Sequence, residues 1–280
     1  MIIGLLHPGK MGAAIGAQLV AAGHRVLWCP AGRSDRTAAR AAAAGLKKVG
    51  SLAEMLAGSE IVFAVCPPAN AEQLAGAIAD HGFFGLFVEA NAINPNRMTT
   101  IADRVRLAGA TVVDGAIIGP PPDADRRARF YLSGPPAAVD AVHRLLHGSQ
   151  AEPRRLDNRI GSASALKMAY GSFQKISRAL AAVSHALADE FGVTSHLAAE
   201  GAMIGRSPLA DRDYFADMAG RAWRWEPEMQ EVAETLRSVG LPDALATGGA
   251  TVFHRWASDK DNEELDTETA LDHLHGKPAD

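Results

Sequence analysis

The chain opens Met1-Ile-Ile-Gly-Leu-Leu-His7-Pro8-Gly9-Lys10-Met11-Gly12-Ala-Ala-Ile-Gly16, and the reading of this stretch decides the fold. Ile2–Leu6 is a short apolar run with strand character, closed by a turn that holds Gly9 and Gly12. An alanine-rich helix is predicted from Met11 to Ala22. Strand, glycine turn and helix in that order aim unpaired backbone N–H groups and the positive end of a helix dipole at one spot, which suits an anion.

The same alternation continues. Strand patterns recur at Arg25–Trp28, Ile61–Val65, Leu86–Glu89, Ala110–Asp114 and Phe130–Ser133. Helix patterns lie between them, at Asp35–Ala44, Leu52–Ala57, Asn70–Ala79, Asn96–Ala108 and Ala137–Leu146. Ser51-Leu-Ala-Glu54 has the form of a capping box. Strands that are nearly continuous apolar runs are covered on both faces, so the expectation is α/β, with an N-terminal Rossmann, doubly wound parallel sheet over residues 1–157.

Past Asp157 strand patterns stop. Leu166, Tyr170, Phe173, Leu180, Leu187 and Phe191 recur at helical spacing, which predicts one long helix over Ser162–Glu190. Further helices are predicted at Ser195–Ile204, Asp211–Met218, Pro227–Val239 and Leu241–Trp256, with stops at Gly192, Gly205-Arg-Ser-Pro208 and Gly240. Residues 158–280 therefore read as an all-α C-terminal domain for substrate or dimerisation. Its last stretch, Ser258–Asp280, holds eight acids and two lysines and reads as a solvated, fraying tail.

Composition narrows the function. The chain has 280 residues, is 48% hydrophobic and 21% charged, and can bury a sizeable core. A formal charge of −4 and the lack of a basic, aromatic-interleaved cluster argue against nucleic-acid binding. Two cysteines, Cys29 and Cys66, form neither a disulfide framework nor a metal motif, so a reduced, cytoplasmic setting and no metal are expected. His7-Pro8 interrupts the N-terminal apolar run, so no signal peptide is read there, and no apolar run is long enough to span a membrane.

In this context the anion at the first turn is read as the pyrophosphate of a dinucleotide, contacted by His7, Pro8, Gly9, Lys10 and Met11. Against the fingerprint G-x-G-x-x-G, Gly9 and Gly12 hold the second and third positions and His7 stands at the first. After the second strand the chain reads Trp28-Cys-Pro-Ala-Gly-Arg33-Ser34-Asp35, with no acid directly at the strand end. Arg33 and Ser34 stand where a 2′-phosphate would lie, which favours NADP, with NAD possible, and Ser34 can also cap the next helix. Cys66-Pro67-Pro68 and Glu89-Ala-Asn91-Ala-Ile-Asn-Pro95 end two later strands and should border the nicotinamide half. Lys167 is the catalytic candidate. It shares a helix face with Gly171 and Gln174, and a mid-helix glycine suggests a close approach by ligand or by another helix.

Four motifs resemble those of the β-hydroxyacid dehydrogenases, which include 3-hydroxyisobutyrate and 6-phosphogluconate dehydrogenases, and of their relatives the imine reductases. Ile3–Gly12 looks like the glycine turn, and Asn91-Ala-Ile-Asn-Pro95 occupies the place of S-T-x-x-P. Asp114-Gly-Ala-Ile-Ile118-Gly119-Pro120 looks like the substrate loop D-A-P-V-S-G-G, and Gly161-Ser-Ala-Ser-Ala-Leu-Lys167 looks like G-x-G-x-x-x-K. Trp223-Arg-Trp-Glu-Pro-Glu-Met229 and Gly240-Leu-Pro242 look like a helical C-terminal domain of a branch described as similar to phosphogluconate dehydrogenase. The resemblance implies an NAD(P)-dependent oxidoreductase acting on a CH–OH group. Lys167 would be acid/base, and Asn91, Ile118, Gly119, Tyr170, Gly171 and Gln174 would lie near a small-molecule substrate; the long helix with its apolar stripe and the small helical second domain suggest a homodimer. Where the family has Ser-Thr this chain has Asn91-Ala92, and it has Ile118 and Pro120 where Ser and Gly are usual, so the substrate is expected to be bulkier or less anionic. An imine or ketone reductase and a non-catalytic dinucleotide-binding protein are the alternatives.

Overall fold

Arg25–Trp28, Ile61–Ala64 and Leu86–Glu89 are short strands with three or four consecutive buried residues, the signature of strands covered on both faces. The computed structural model describes residues 1–205, 208 and 212–275. One eight-stranded sheet runs through the N-terminal part. Its strands are β1 (Ile2–Leu5), β2 (Arg25–Trp28), β3 (Lys47–Lys48), β4 (Ile61–Ala64), β5 (Leu86–Glu89), β6 (Thr111–Ile118), β7 (Ala128–Ser133) and β8 (Ala151–Arg155). They lie in the order β3-β2-β1-β4-β5-β6-β7-β8.

The helices between them are α1 (Lys10–Ala21), α2 (Asp35–Ala43), α3 (Leu52–Ala57), α4 (Ala71–Asp80), α5 (Pro95–Leu107) and α6 (Pro136–Leu146). Two apolar layers flank the sheet. One gathers Ile15 and Leu19 of α1 with Leu5, Phe63 and Val88, and the other gathers Ile78, Met98 and Ile101 of α4 and α5 with Val62, Phe87 and Val112. Side-chain alternation along each strand produces the two layers. Ser34, Ser51 and Asn94 cap α2, α3 and α5 by accepting from Thr37, Glu54 and Arg97 N–H groups.

The sheet differs from a purely parallel one. β7 is antiparallel to β6, pairing Asp114 with Ser133 and Ile118 with Arg129, while β7 and β8 are parallel. The expected substrate loop is therefore strand up to Ile118, and the turn begins only at Gly119, where φ is +131°. β3 escapes the sequence pattern because it is two exposed lysines at one edge. β8 escapes it because Pro153 argues against a strand, yet β8 is the opposite edge, where a missing N–H is tolerated.

The chain divides into two compact units, Met1–Gly171 and Ser172–Asp280. The division falls inside α7 (Ser162–Glu190), whose first turns are hydrogen-bonded to β6 and β7. The second unit continues with α8 (Thr194–Ala202), α9 (Tyr214–Ser238), α10 (Ala244–His254) and α11 (Thr267–Asp272).

Two expected helices are one, α9, which carries Pro227 in its interior. Trp225 packs edge-on against Phe253, and Glu226 meets His254 at 3.1 Å, so the turn before the proline is held against α10. The tail is not a fraying end over its described residues. Trp256 is buried and donates its indole N–H to the Ala270 carbonyl at 2.6 Å, and His273 Nδ1 lies 2.8 Å from the buried Asp259 carboxylate. The expected stop at Arg206–Ser207, the helix start at Asp211 and residues 276–280 lie outside the described residues.

Candidate functional site

Because β1, β4, β5 and β6 are parallel, their carboxyl ends share one edge of the sheet. The His7–Gly12 turn follows β1, Cys66 follows β4, Asn91 follows β5 and Ile117 lies toward the end of β6. In open α/β sheets this edge is where ligands bind.

The first turn is built without the glycine of the fingerprint. Gly9 N–H donates to His7 C=O at 2.8 Å, which makes a three-residue turn centred on Pro8. Proline's fixed φ suits that turn. His7 needs no positive φ, so a side chain is accommodated. Gly12 has no such latitude: a Cβ there would stand 2.2 Å from the His7 carbonyl oxygen. The N-cap of α1 is Gly9, which brings no side chain to the first-turn N–H groups of Lys10, Met11 and Gly12.

Two arginines converge on this turn. Arg33 Nη2 donates to Leu6 C=O at 3.2 Å, and its buried Nε has no hydrogen-bond partner among the described residues. Arg40, which the sequence reading passed over, reaches Pro8 C=O at 3.4 Å and Thr37 Oγ1 at 3.1 Å. Burial first, then Arg33 and Arg40, hold the His7 imidazole below its ordinary range, and His7 Nδ1 is buried without a partner among the described residues. Ser34 is exposed and caps α2, so the capping reading of that residue is realised.

At the β4 and β5 ends a small polar cluster forms. Asn91 is 3% exposed, and its Oδ1 accepts the Cys66 N–H at 2.5 Å. Asn91 N–H donates to Glu89 Oε1 at 3.0 Å. Asn91 Nδ2 and Glu89 Oε2 are both buried without partners among the described residues. Burial, with Asp114 adding to it, pushes the Glu89 carboxyl up to about 8, and burial pushes the Cys66 thiol up to about 11. Pro67 is exposed, and Arg97 braces this corner by donating to Pro68 C=O at 2.7 Å and pairing with Glu72.

Asp114 and Ser133 are cross-strand partners, so both present acceptors to the start of α7. Asp114 Oδ2 accepts Gly161 and Ser164 N–H at 2.9 and 3.0 Å, and Ser133 Oγ accepts Ala163 N–H at 3.1 Å. One turn on, the half-buried Lys167 donates its ammonium to the Ile117 carbonyl of β6. Lys167 is thereby placed at the shared strand edge. Ile118 is 4% exposed inside β6, whereas Gly119 is exposed. Tyr170 and Gly171 are half-buried farther along α7 in the first unit, and Gln174 lies in the second. Among the described residues, a Cβ at Gly171 would meet nothing within 4 Å. The sequence reading missed Glu89, Asp114 and Ser164. Acid and hydroxyl at strand and helix ends were the available signal.

A dinucleotide fits these residues: a close-approach glycine, an α1 N-terminus without a side-chain cap, a braced arginine and orphaned polar atoms on His7 and Asn91 stand at the strand edge. Among the described residues no cluster of metal-ligating side chains occurs, and no helix is long and apolar enough to cross a membrane.

Residues 2–85 match the family described as NADP oxidoreductase coenzyme F420-dependent, and residues 188–256 match a domain of unknown function, DUF1932. No curated protein matches the chain. Among solved structures, an imine reductase from Pseudomonas sp. is 18% identical over 98% of this chain and 99% of its own, with a TM-score of 0.75. A reductive aminase from Aspergillus terreus in complex with NADPH and ethyl levulinate is 18% identical over 97% and 98%, at 0.70. A conserved protein of unknown function, described as structurally similar to 3-hydroxyacid dehydrogenases, is 22% identical over 92% and 98%, at 0.57.

At these identities the likeness is one of fold. The class so defined is one of fold: an N-terminal unit matched over residues 2–85 by the NADP oxidoreductase model, followed by a helical unit matched over residues 188–256 by DUF1932. The fold and the two domain matches agree with the β-hydroxyacid dehydrogenase and imine reductase superfamily that the motifs resemble.

Proposed function

We propose that this protein is an NADP-preferring oxidoreductase that interconverts a hydroxyl and a carbonyl carbon of a small substrate, with Lys167 as general acid/base. The observation that carries the reading is the gathering of Lys167, Asn91 and the His7–Gly12 turn at one strand edge, with Lys167 tied there by the Ile117 carbonyl. The nicotinamide, when bound, supplies or accepts the hydride at its C4. The α1 N-terminus and Arg33 hold the phosphates, the latter selecting a 2′-phosphate by charge-assisted hydrogen bonds. Asn91 orients the carboxamide or the substrate through Nδ2. Lys167 gives or takes the proton on oxygen. An ordinary lysine, near pKa about 10.4, is a weak base at neutral pH, so the bound state must lower it by desolvation.

Imine or ketone reduction is the second reading. Ile118, buried in β6, brings an apolar side chain where the resembled family has a serine, which disfavours a carboxylate. A homodimer is supported by apolar residues exposed in the second unit, with Phe191 at 58%, Met203 at 80% and Ile204 at 73%. Two free thiols, Cys29 and Cys66, suit a cytoplasmic setting.

The test follows NADPH and NADH absorbance with a panel of hydroxyacids, ketones and cyclic imines, for wild type and Lys167→Met. Turnover with NADPH above NADH that disappears in the variant, with NADPH affinity kept, is expected. Turnover unchanged in the variant removes the lysine role. Nucleotide binding without turnover on any panel member leaves a dinucleotide-binding protein.

A further inference from the structure

Glu89, hydrogen-bonded to the Asn91 backbone, is a polar residue of the strand edge that this mechanism does not use. Glu89 is 1% exposed at the end of β5, and one carboxyl oxygen accepts the Asn91 N–H while the other has no partner. The Asn91 side-chain amide lies near enough to favour the charged carboxyl, yet Nδ2 completes no hydrogen bond with it. Asn91 Nδ2 and Glu89 Oε2 are therefore a buried donor and a buried acceptor two residues apart at one strand end, each without a partner among the described residues. A neutral carboxylic acid is a weak acceptor and leaves the amide free. A carboxylate is a strong one, and a buried carboxylate without a donor is costly.

We propose that Glu89 is a positioning residue for Asn91: as a neutral acid it leaves Nδ2 available to the ligand, and once ionised it captures Nδ2 and withdraws it. The proposal rests on the reading of Asn91 as a cofactor-facing residue. Every charged neighbour bears on the gate. Asp114 on β6 and Glu72 on α4 both oppose ionisation of Glu89. Arg97 on α5 feels Glu89 but is paired with Glu72. The Cys66 thiol, after β4, is itself held neutral by burial and by Glu89. No cation is engaged with the Glu89 carboxyl among the described hydrogen bonds and ion pairs, and burial favours its neutral form.

NADPH dissociation constants measured by fluorescence from about pH 6.5 to about pH 9.5 test this on the intact protein. Wild type should weaken by about tenfold or more with a midpoint near 8. Glu89→Gln, which cannot ionise, should bind without that inflection, and Asn91→Ala should bind weakly across the range. A flat wild-type profile, or an inflection retained in Glu89→Gln, overturns the gate. Absence of NADPH binding by wild type at the low end of the range instead overturns the cofactor reading, so the two failures are distinct. If Glu89→Gln does not fold, infrared spectroscopy of wild type decides. A protonated-carboxyl C=O band that titrates away near pH 8 supports the gate, and its absence overturns it.

Discussion

Ser164 Oγ donates to Asp114 Oδ1 at 2.7 Å while Ser164 N–H donates to Asp114 Oδ2 at 3.0 Å, so one carboxylate caps α7 and ties it to the sheet. Burial raises the Asp114 carboxyl, and these hydrogen bonds pull it back. Ser164→Ala should lower the unfolding free energy by about 1–3 kcal/mol, and Asp114→Ala by more, since Gly161 and Ser164 N–H groups then lose their acceptor. Denaturant unfolding measures both. An unchanged midpoint for Ser164→Ala would contradict the anchoring role. Lys167 sits one turn beyond the anchor, so turnover should fall in both variants.

Gly12→Ala tests the close approach at the first turn. The added Cβ would sit 2.2 Å from the His7 carbonyl oxygen, a backbone atom fixed by the Pro8 turn. The backbone must shift, at about 1–3 kcal/mol, and the N–H groups of α1 move with it. NADPH affinity should fall by about tenfold or more, as each 1.4 kcal/mol is tenfold. Isothermal titration against wild type checks it, and retained affinity would mean that the phosphates bind elsewhere.

Most of the sheet was legible because its signal is local. A four-residue apolar run such as Ile61–Ala64 and a serine cap such as Ser51 need no distant partner to be read. The antiparallel β7 was not legible, since Phe130–Ser133 looks the same in either direction and pairing with Asp114 decides it. Lys167 could be read from its motif, but its tie to Ile117 is a contact over 50 residues. Glu89 was visible as a residue and invisible as a site, because its burial and its unmatched oxygen belong to the folded chain alone. The tail misled for the opposite reason. Its charge pattern is that of a solvated end, while Ala270, the one residue of α11 that is fully buried, carries no charge signal.

His7 should make the protein sensitive to acid. Its imidazole, held down by burial and then by Arg33 and Arg40, stays neutral in the folded chain at pH values where the unfolded chain, with a value near 6.5, is protonated. The unfolded state then binds more protons, so stability falls as pH drops below about 6.5 and levels off once the folded imidazole also titrates. His7→Gln keeps a polar side chain and removes the proton. Melting temperatures of the two proteins over this range should diverge, wild type falling more steeply toward acid. Parallel curves would show that His7 titrates as it does in the unfolded chain.

The last described residues supply the clearest test of the packed tail. Trp256 is 1% exposed, and its indole N–H has the Ala270 carbonyl as acceptor at 2.6 Å. Asp266 caps α11 through Thr269 N–H at 2.9 Å, which fixes where that carbonyl stands. Lys260 lies 4.1 Å over the Trp223 ring, and Asp261 accepts the Trp223 indole N–H at 3.2 Å, so α9 is engaged as well. Ala270→Glu leaves the chain length intact and forces a charge into a site with no exposure at all. It should cost about 2–5 kcal/mol, through desolvation of the carboxylate and displacement of α11 from Trp256. Truncation after Asp259 should expose Trp256, read as a red shift and faster quenching of tryptophan fluorescence. A solvated tail would instead leave both the melting temperature of Ala270→Glu and the fluorescence of the truncated chain unchanged.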